Sequence, residues 1–433
     1  AAPAAPRGRA GGAWFCPGPP DPATYLADRV QLANVGSGAA NVVVTVLADN
    51  GDHVQAESIA PSSLLTLRTS DLGPPGPITV ETFGAQLVVE ELSDGSGFDA
   101  NPCATATAAD WSFAAGTTPR DVDQFLVIDN PYATDAKVDV TLRTNEGVMR
   151  PDKIQNFDIF RRSRRVVPLH LPPYAVRTAR VAVEVHAQAG EVVAAQWLRF
   201  RSGSGALGTT WTLGATSTSD HWTFPEVRTS TDMHAWVAIV NPSLSTANVD
   251  VVAIPDTNIA IPPTTVTVAA DDVVWVQLGD CRPGTGCLSV PNGSRFSVDV
   301  HADENVGVVA QLLERGLTGV SAPLGVTAAA PAWTFATSTA TGEVSTVLSF
   351  VEPLAQPAQV DIALVGGGVV TRPPALQHIT VQPGHRRTVR VAGVAVPPDK
   401  DQAILVTSSV PVVVMRSIVT ATETSVASGT TPG

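Results

Sequence analysis

Lysine is almost missing from this 433-residue chain. Lys137, Lys153 and Lys400 are the only three, and the basic residues total 27 against 40 acidic ones. A net charge of −13 provides no basic field for a phosphate backbone, so nucleic acid is excluded as a partner and solubility is the plain use of the acidity. Long apolar runs are missing too. The longest, such as VPVVV at 410–414, are strand-sized and far below the ~18 residues of a membrane-spanning helix. Helical periodicity is scarcely visible. There is no H-E-x-x-H or other close Cys/His cluster, no G-x-S-x-G elbow, no Walker loop and no G-x-G-x-x-G opening a helix. The expectation is therefore a protein without catalysis, cofactor or metal.

What is present is one phrase in four versions: VQLANVGSGAANVVVTVL, FLVIDNPYATDAKVDVTL, WVAIVNPSLSTANVDVVAI and LSFVEPLAQPAQVDIALV. Trp14, Trp111, Trp222 and Trp333 open WFC, WSF, WTF and WTF, at spacings of 97, 111 and 111 residues. The same count from each tryptophan, within one residue, reaches Asn34, Asn130, Asn241 and Glu352, and Ala40, Ala136, Ala247 and Ala358 lie six further on. Apolar residues then recur at every second position, as in Val138, Val140 and Leu142, the pattern of a strand with one face on a core. The phrase reads as the second and third strands of a unit, with proline of the N-P step making the corner because it fixes φ and withdraws a donor.

Seven or eight strands per unit, punctuated by Gly, Pro, Asn and Asp turns, predict an antiparallel sandwich. The fold class is all-β: four tandem immunoglobulin-like antiparallel β-sandwich repeats at 14–110, 111–221, 222–332 and 333–433, after a flexible segment at 1–13. Short linkers such as ATATAAD and TSTSD point to a semi-rigid rod or a compact bent array. The alternative is a closed pseudo-fourfold ring in which each W-x-F strand completes the preceding unit.

Four cysteines suggest two disulfides. Cys16 stands where the other copies have Phe113, Phe224 and Phe335, and Cys103 stands where they have Gly214 and Gly325. A ring facing a glycine is close packing, and two cysteines turn that contact into a bond. Cys16 should pair with Cys103, stabilising the first unit by about 3–5 kcal/mol, which favours self-contained units over the ring. Cys281 and Cys287, in CRPGTGC, form a local clip worth ~2 kcal/mol.

Two basic tips stand out on the acidic chain: Arg161, Arg162, Arg164 and Arg165 in RRSRR, and Arg386 and Arg387 in HRRTVR. Both fall on the same hairpin of the repeat, where they would hold an anionic polymer or meet an acidic neighbouring unit. The eight histidines are scattered, and His186 and His301 sit at equivalent places that mark a strand. Acidic stretches at 48–53 and 93–99 read as turns. Trp197, Trp211, Trp236 and Trp275 read as core, whereas a glycan binder would stand Trp197, Trp211 or Trp275 open in a row.

WFCPG at 14–18, NPCA at 101–104, DNPYATDAKVDV and VNPSLSTANVDV together resemble an uncharacterised family of secreted or membrane-anchored actinobacterial proteins. The likeness runs from Trp14 to about Gly429, and copies one and four depart from the N-P corner. It implies location and architecture and carries over no catalytic residue. The opening AAPAAPRGRAGGA resembles the start of a processed exported protein. The expected function is that of a secreted, cell-surface structural or scaffold protein mediating assembly with other envelope proteins or copies of itself. The alternative is a glycan-binding or adhesive module of the cell envelope.

Overall fold

The computed structural model describes the chain except residues 1–3, 6–11, 22–27, 49–50, 95–97, 175–176, 257–259, 282–285, 304–305, 318, 339–343, 392–400, 421–423 and 433. Almost every regular element is a β-strand, and the alternation seen in the sequence sets their faces. In Ala247–Pro255, Ala247, Val249 and Val251 are buried while Asn248 and Asp250 are exposed.

The strands form consecutive pairs of sheets with a repeated order. In the second sandwich one sheet runs Asp110–Gly116, Val181–Ala189, Ala136–Thr144, and the other Ser163–Pro168, Val122–Asn130, Val193–Phe200, Gly208–Leu213. Neighbours in both are antiparallel. The first sandwich pairs Gly12–Cys16, Ile78–Thr82, Ala40–Val46 and His53–Ile59 opposite Ser63–Arg68, Arg29–Asn34, Leu87–Asp94 and Phe98–Pro102. The third keeps this order. In the fourth, one long strand, Gln402–Val419, serves both sheets, pairing with Ala330–Ser338 through its first half and with Ser345–Val351 through its second.

Each tryptophan-bearing opening strand closes its own sandwich. The indole N–H of Trp111, Trp222 and Trp333 donates to the carbonyls of Val192, Val308 and Val412 at 2.9, 3.0 and 2.8 Å. The next strand-mate then meets the end of the same unit. A Cβ added to Gly214, Gly325 or Gly429 would lie 2.8–2.9 Å from the ring tip of Phe113, Phe224 or Phe335, so nothing larger than hydrogen fits there. In the first sandwich Cys16 and Cys103 occupy this contact and are joined, with Cα atoms 4.8 Å apart. A two-way backbone bridge follows at each site: Phe15 with Ala104, Ser112 with Ala215, Thr223 with Val326 and Thr334 with Thr430.

The corner after the second strand is made by asparagine, not by proline. Buried Asn241 donates through Nδ2 to the carbonyls of Ser245, Val268 and Ala269 at 2.7, 3.1 and 3.1 Å, and its Oδ1 accepts from the Ser243 amide. Asn130 and Asn34 repeat the clamp, Asn34 with valine in place of the proline. The side chain ties the corner to the turn between the fourth and fifth strands, a tie that φ restriction alone does not supply. Glu352 keeps only the acceptor half, binding the Leu354 amide at 2.6 Å.

The four sandwiches close into a ring, so the array is bent and compact and no rod is formed. The W-x-F strands do not complete the preceding unit, since each pairs within its own sheet. Instead the tail of each opening strand leans on the following sandwich. The Ala115 amide donates to Gln311 Oε1 at 2.8 Å, and Pro17 and Pro225 offer carbonyls to Arg164 and Arg386. Thr337 reaches Gln31 across the junction between the fourth and first sandwiches. Self-contained closure and ring closure thus coexist, because one strand pairs by its backbone at home and packs by its end abroad.

Replacing Asn241 by Ala leaves one buried and two part-buried carbonyls without their donor, and the expected cost is about 1–3 kcal/mol. Pro242→Ala should cost less than about 1 kcal/mol. Urea midpoints of the two variants check the ranking.

Candidate functional site

Several buried ionisable residues lie at the seams of the ring. Arg164 and Arg386 hold the same register position, one residue after Ser163 and His385, which pair with or bond to the corner residues Asn130 and Glu352. Both guanidinium groups turn back to the preceding sandwich. Arg164 Nη1 donates to the Pro17 carbonyl at 2.9 Å. Arg386 donates through Nε to the Pro225 carbonyl at 2.8 Å, through Nη1 to Asp256 at 2.5 Å and through Nη2 to Glu226. Arg386 is fully buried and unavailable to an external polymer, because its planar fork is used on one carbonyl and two carboxylates. In the other two sandwiches this position is Leu64 or Val273. At this one position the seams alternate between arginine and an apolar side chain, while Arg143 with Asp271 and Arg416 with Glu90 supply ion pairs to the other two seams.

The remaining basic residues divide. Arg162 pairs with Asp52 of the first sandwich at 2.5 Å. Arg161, Arg165 and Arg387 are exposed. Arg161, Arg162 and Arg165 ring a cleft of ≈ 740 Å³ at the first seam, together with exposed Phe160 and with Asp52 and Asp135. Cys281 and Cys287 are joined, and residues 282–285 between them lie outside the described residues.

Around Arg164 three carboxylates are sealed from water. Burial is the main cause that lifts Glu91 to about 7 and Asp129 to about 8, opposed in both by the Arg164 charge and in Glu91 also by the Gly18 amide. Asp28 is raised well above the usual range by burial and then by Glu91. Both side-chain oxygens of Asp28 and of Asp129, and one of Glu91, accept no hydrogen bond.

The last strands of the four sandwiches, Phe98–Pro102, Gly208–Leu213, Gly319–Ser321 and Thr424–Ser428, meet at the centre. Asp99 ties three units there. Its carboxylate accepts from the Ser425 hydroxyl at 2.6 Å and from the Thr210 hydroxyl and Trp211 amide at 2.8 Å each. Burial raises its pKa against these four-sided donors, the Ala100 amide included. Arg416 completes the join between fourth and first sandwiches, reaching Glu90 at 2.6 Å and the Thr337 and Ala100 carbonyls at 2.8 and 2.6 Å. Beside this network lies an axial cavity of ≈ 120 Å³, to which all four sandwiches contribute, among them Asn101, Thr212, Leu324 and Ser428.

Sequence reasoning missed Asp99, which it placed in a turn, and it missed the axis altogether. The other acidic stretch lies partly outside the described residues, at 49–50. The open aromatic row is also absent. Trp197, Trp211 and Trp275 are buried, the first two stacked with centroids 5.6 Å apart, and half-buried Trp236 lies under Arg315. One histidine pair does converge: His221 and His301 stack at 4.3 Å, and burial followed by the His221 charge lowers His301.

A family model described as "Family of unknown function (DUF5719)" matches residues 74–332, more than half of the chain. The chain belongs to DUF5719. The matched region begins between the fifth and sixth strands of the first sandwich and ends one residue before Trp333. No curated protein matches. Among solved structures, the chain is similar to the crystal structure of Thermotoga maritima 1070, at 18% identity, covering 25% of this chain and 95% of that one with a TM-score of 0.21. It is similar to the Anabaena sensory rhodopsin transducer, at 18% identity, 23% and 99% coverage and a TM-score of 0.20. A tetra-tandem repeat in the extending region of a large adhesion protein aligns over 98% of this chain and 100% of its own at 12% identity and a TM-score of 0.13. Likenesses at these scores carry no argument about this DUF5719 member.

Two outcomes follow for the seams. Between the ordinary carboxylate range and about 7–8, the folded chain holds protons on Glu91 and Asp129 that the unfolded chain has released. Stability should accordingly fall as pH rises from about 5 to 8. Asp129→Asn, which stays neutral, should reduce that fall and be the more stable protein at pH 8, read from urea midpoints at both pH values. At the opposite seam, Arg386→Met strands buried Glu226 and should cost about 3–5 kcal/mol, with most of it recovered in Arg386→Met/Glu226→Gln. Hydrogen exchange of the Pro225 region, measured in the single and double variants, locates the effect.

Proposed function

We propose that the chain is a non-catalytic, extracellular cell-surface scaffold, a preassembled ring that mediates assembly with other envelope proteins or with copies of itself. The observation that carries this reading is ring closure between the fourth and first sandwiches through Arg416, Glu90, Asp99 and Ser425. Closure uses buried charges as fasteners and holds the outward loops of all four units at fixed spacing. Three equivalent corners then display large apolar side chains: Tyr132, Leu244, which is 95% exposed, and Leu354. Exposed apolar groups on a rigid frame are suited to protein contacts. Two disulfides fit an oxidising compartment. Among the described residues, no helix is long and apolar enough to cross a membrane.

Crosslinking on intact cells followed by capture of the chain tests the reading. A defined protein in constant ratio should be retained, and lost from Tyr132→Ser/Leu244→Ser/Leu354→Ser at unchanged thermal unfolding. Capture that yields polysaccharide and no protein would overturn it.

The cleft at the first seam favours one second reading, a glycan-binding module for acidic envelope polymers. Arg161 and Arg165 would supply charge there and Phe160 an apolar face. Glycan-array binding that disappears in Arg161→Ser/Arg165→Ser would promote it, with the seam residues Arg162 and Arg164 left intact.

A further inference from the structure

We propose that the outer face of the third sandwich carries a divalent transition-metal site formed by His221, His301 and Asp299. His221 directly precedes Trp222 on the opening strand His221–Arg228, and His301 lies directly across the ladder from it. Asp299 stands two residues before His301, on the same face. Trp222, Val298 and Val300 fill the core beneath, so alternation fixes the three polar side chains on the opposite side of the sheet.

The donor atoms of the three residues all lie within 4.8 Å of one another, and His221 Nε2 is 3.8 Å from Asp299 Oδ1. Ligands bound tetrahedrally at the usual zinc distances stand roughly 3.4 Å apart, so a small rotamer adjustment completes the arrangement. A second observation points to a cation. Asp299 Oδ1 is shut off from water and accepts no hydrogen bond, although its side chain is only 15% exposed. A carboxylate oxygen in that position lacks compensation until a positive partner arrives. The Thr223 hydroxyl lies 3.3 Å from His221 Nε2, and Asp250, across the ladder from His301, is occupied by the Thr265 hydroxyl at 2.5 Å. Two imidazoles with one carboxylate select zinc, nickel or copper over calcium or magnesium. Three protein ligands leave a fourth position open to water or a donor from outside.

The other sandwiches provide an internal control, because the pair facing across this ladder is Ala13 with Glu81 in the first and Ala332 with Thr407 in the fourth. In the second it is Asp110 with His186, already bonded to each other at 2.6 Å.

The test is calorimetric titration of Zn²⁺ into the full chain after removal of metal with a chelator. One equivalent should bind, and His221→Ala and His301→Ala should each weaken it at least about tenfold, since even residues that only support metal ligands cost that much. His186→Ala should bind as the parent does. Co²⁺ added in place of Zn²⁺ should give visible absorption bands that both histidine variants lose. Both histidines lie at the surface, and circular dichroism confirms that the variants fold. The proposal fails if the parent chain takes up no zinc, or if His221→Ala/His301→Ala binds it undiminished.

Discussion

The structure depends on a strand that belongs to two sandwiches at once. Each opening strand lends its backbone to its own sheet and buries a tryptophan in its own core, and in three of the four it seats a phenylalanine on its own glycine, where the first has the Cys16–Cys103 bond. Its last residues then press against the second sheet of the next unit. A unit that closes itself therefore also positions the surface its neighbour needs. Because the fourth opening strand meets the first sandwich in the same manner as the others, the series returns to its start.

The ring is fourfold in backbone, and only the register position of Arg164 and Arg386 is twofold in chemistry. At that position arginine fastens the seams after the first and third sandwiches, whereas the other two have leucine or valine there and are joined by arginines from elsewhere, Arg143 on Asp271 and Arg416 on Glu90, beside glutamine contacts. The seams of Arg164 and Arg386 hold buried carboxylates. Their desolvation nearly cancels their attraction, so the net stabilisation is small while the penalty for any mismatched partner is large. Such fasteners specify which unit sits beside which. Apolar seams alone, built from similar repeats, would discriminate poorly among the four.

The same seams account for the displaced ionisation in this protein. Asp28, Glu91, Asp99 and Asp129 all have raised pKa values, and burial leads in each case. None of them lies among the residues lining the axial cavity. Groups of this kind mark catalytic clefts in many proteins. Here they lie where sandwiches were pressed together.

Strand periodicity, the four-part register and the cysteine–glycine substitution were legible in the sequence, because each rests on residues within one sandwich whose spacing the strand geometry dictates. The corner was legible in place but not in cause. Its asparagine bonds to a turn some 27 residues away, so the neighbouring proline drew the attention instead. The histidine pair faces across a ladder, His221 to His301, and leaves no linear spacing to recognise. Ring closure, the axial role of Asp99 and the inward turn of Arg386 were decided only in three dimensions. They depend on how the faces of separate sandwiches fit, and a face has no signature in the order of residues until the chain has folded and shown which charges must be covered.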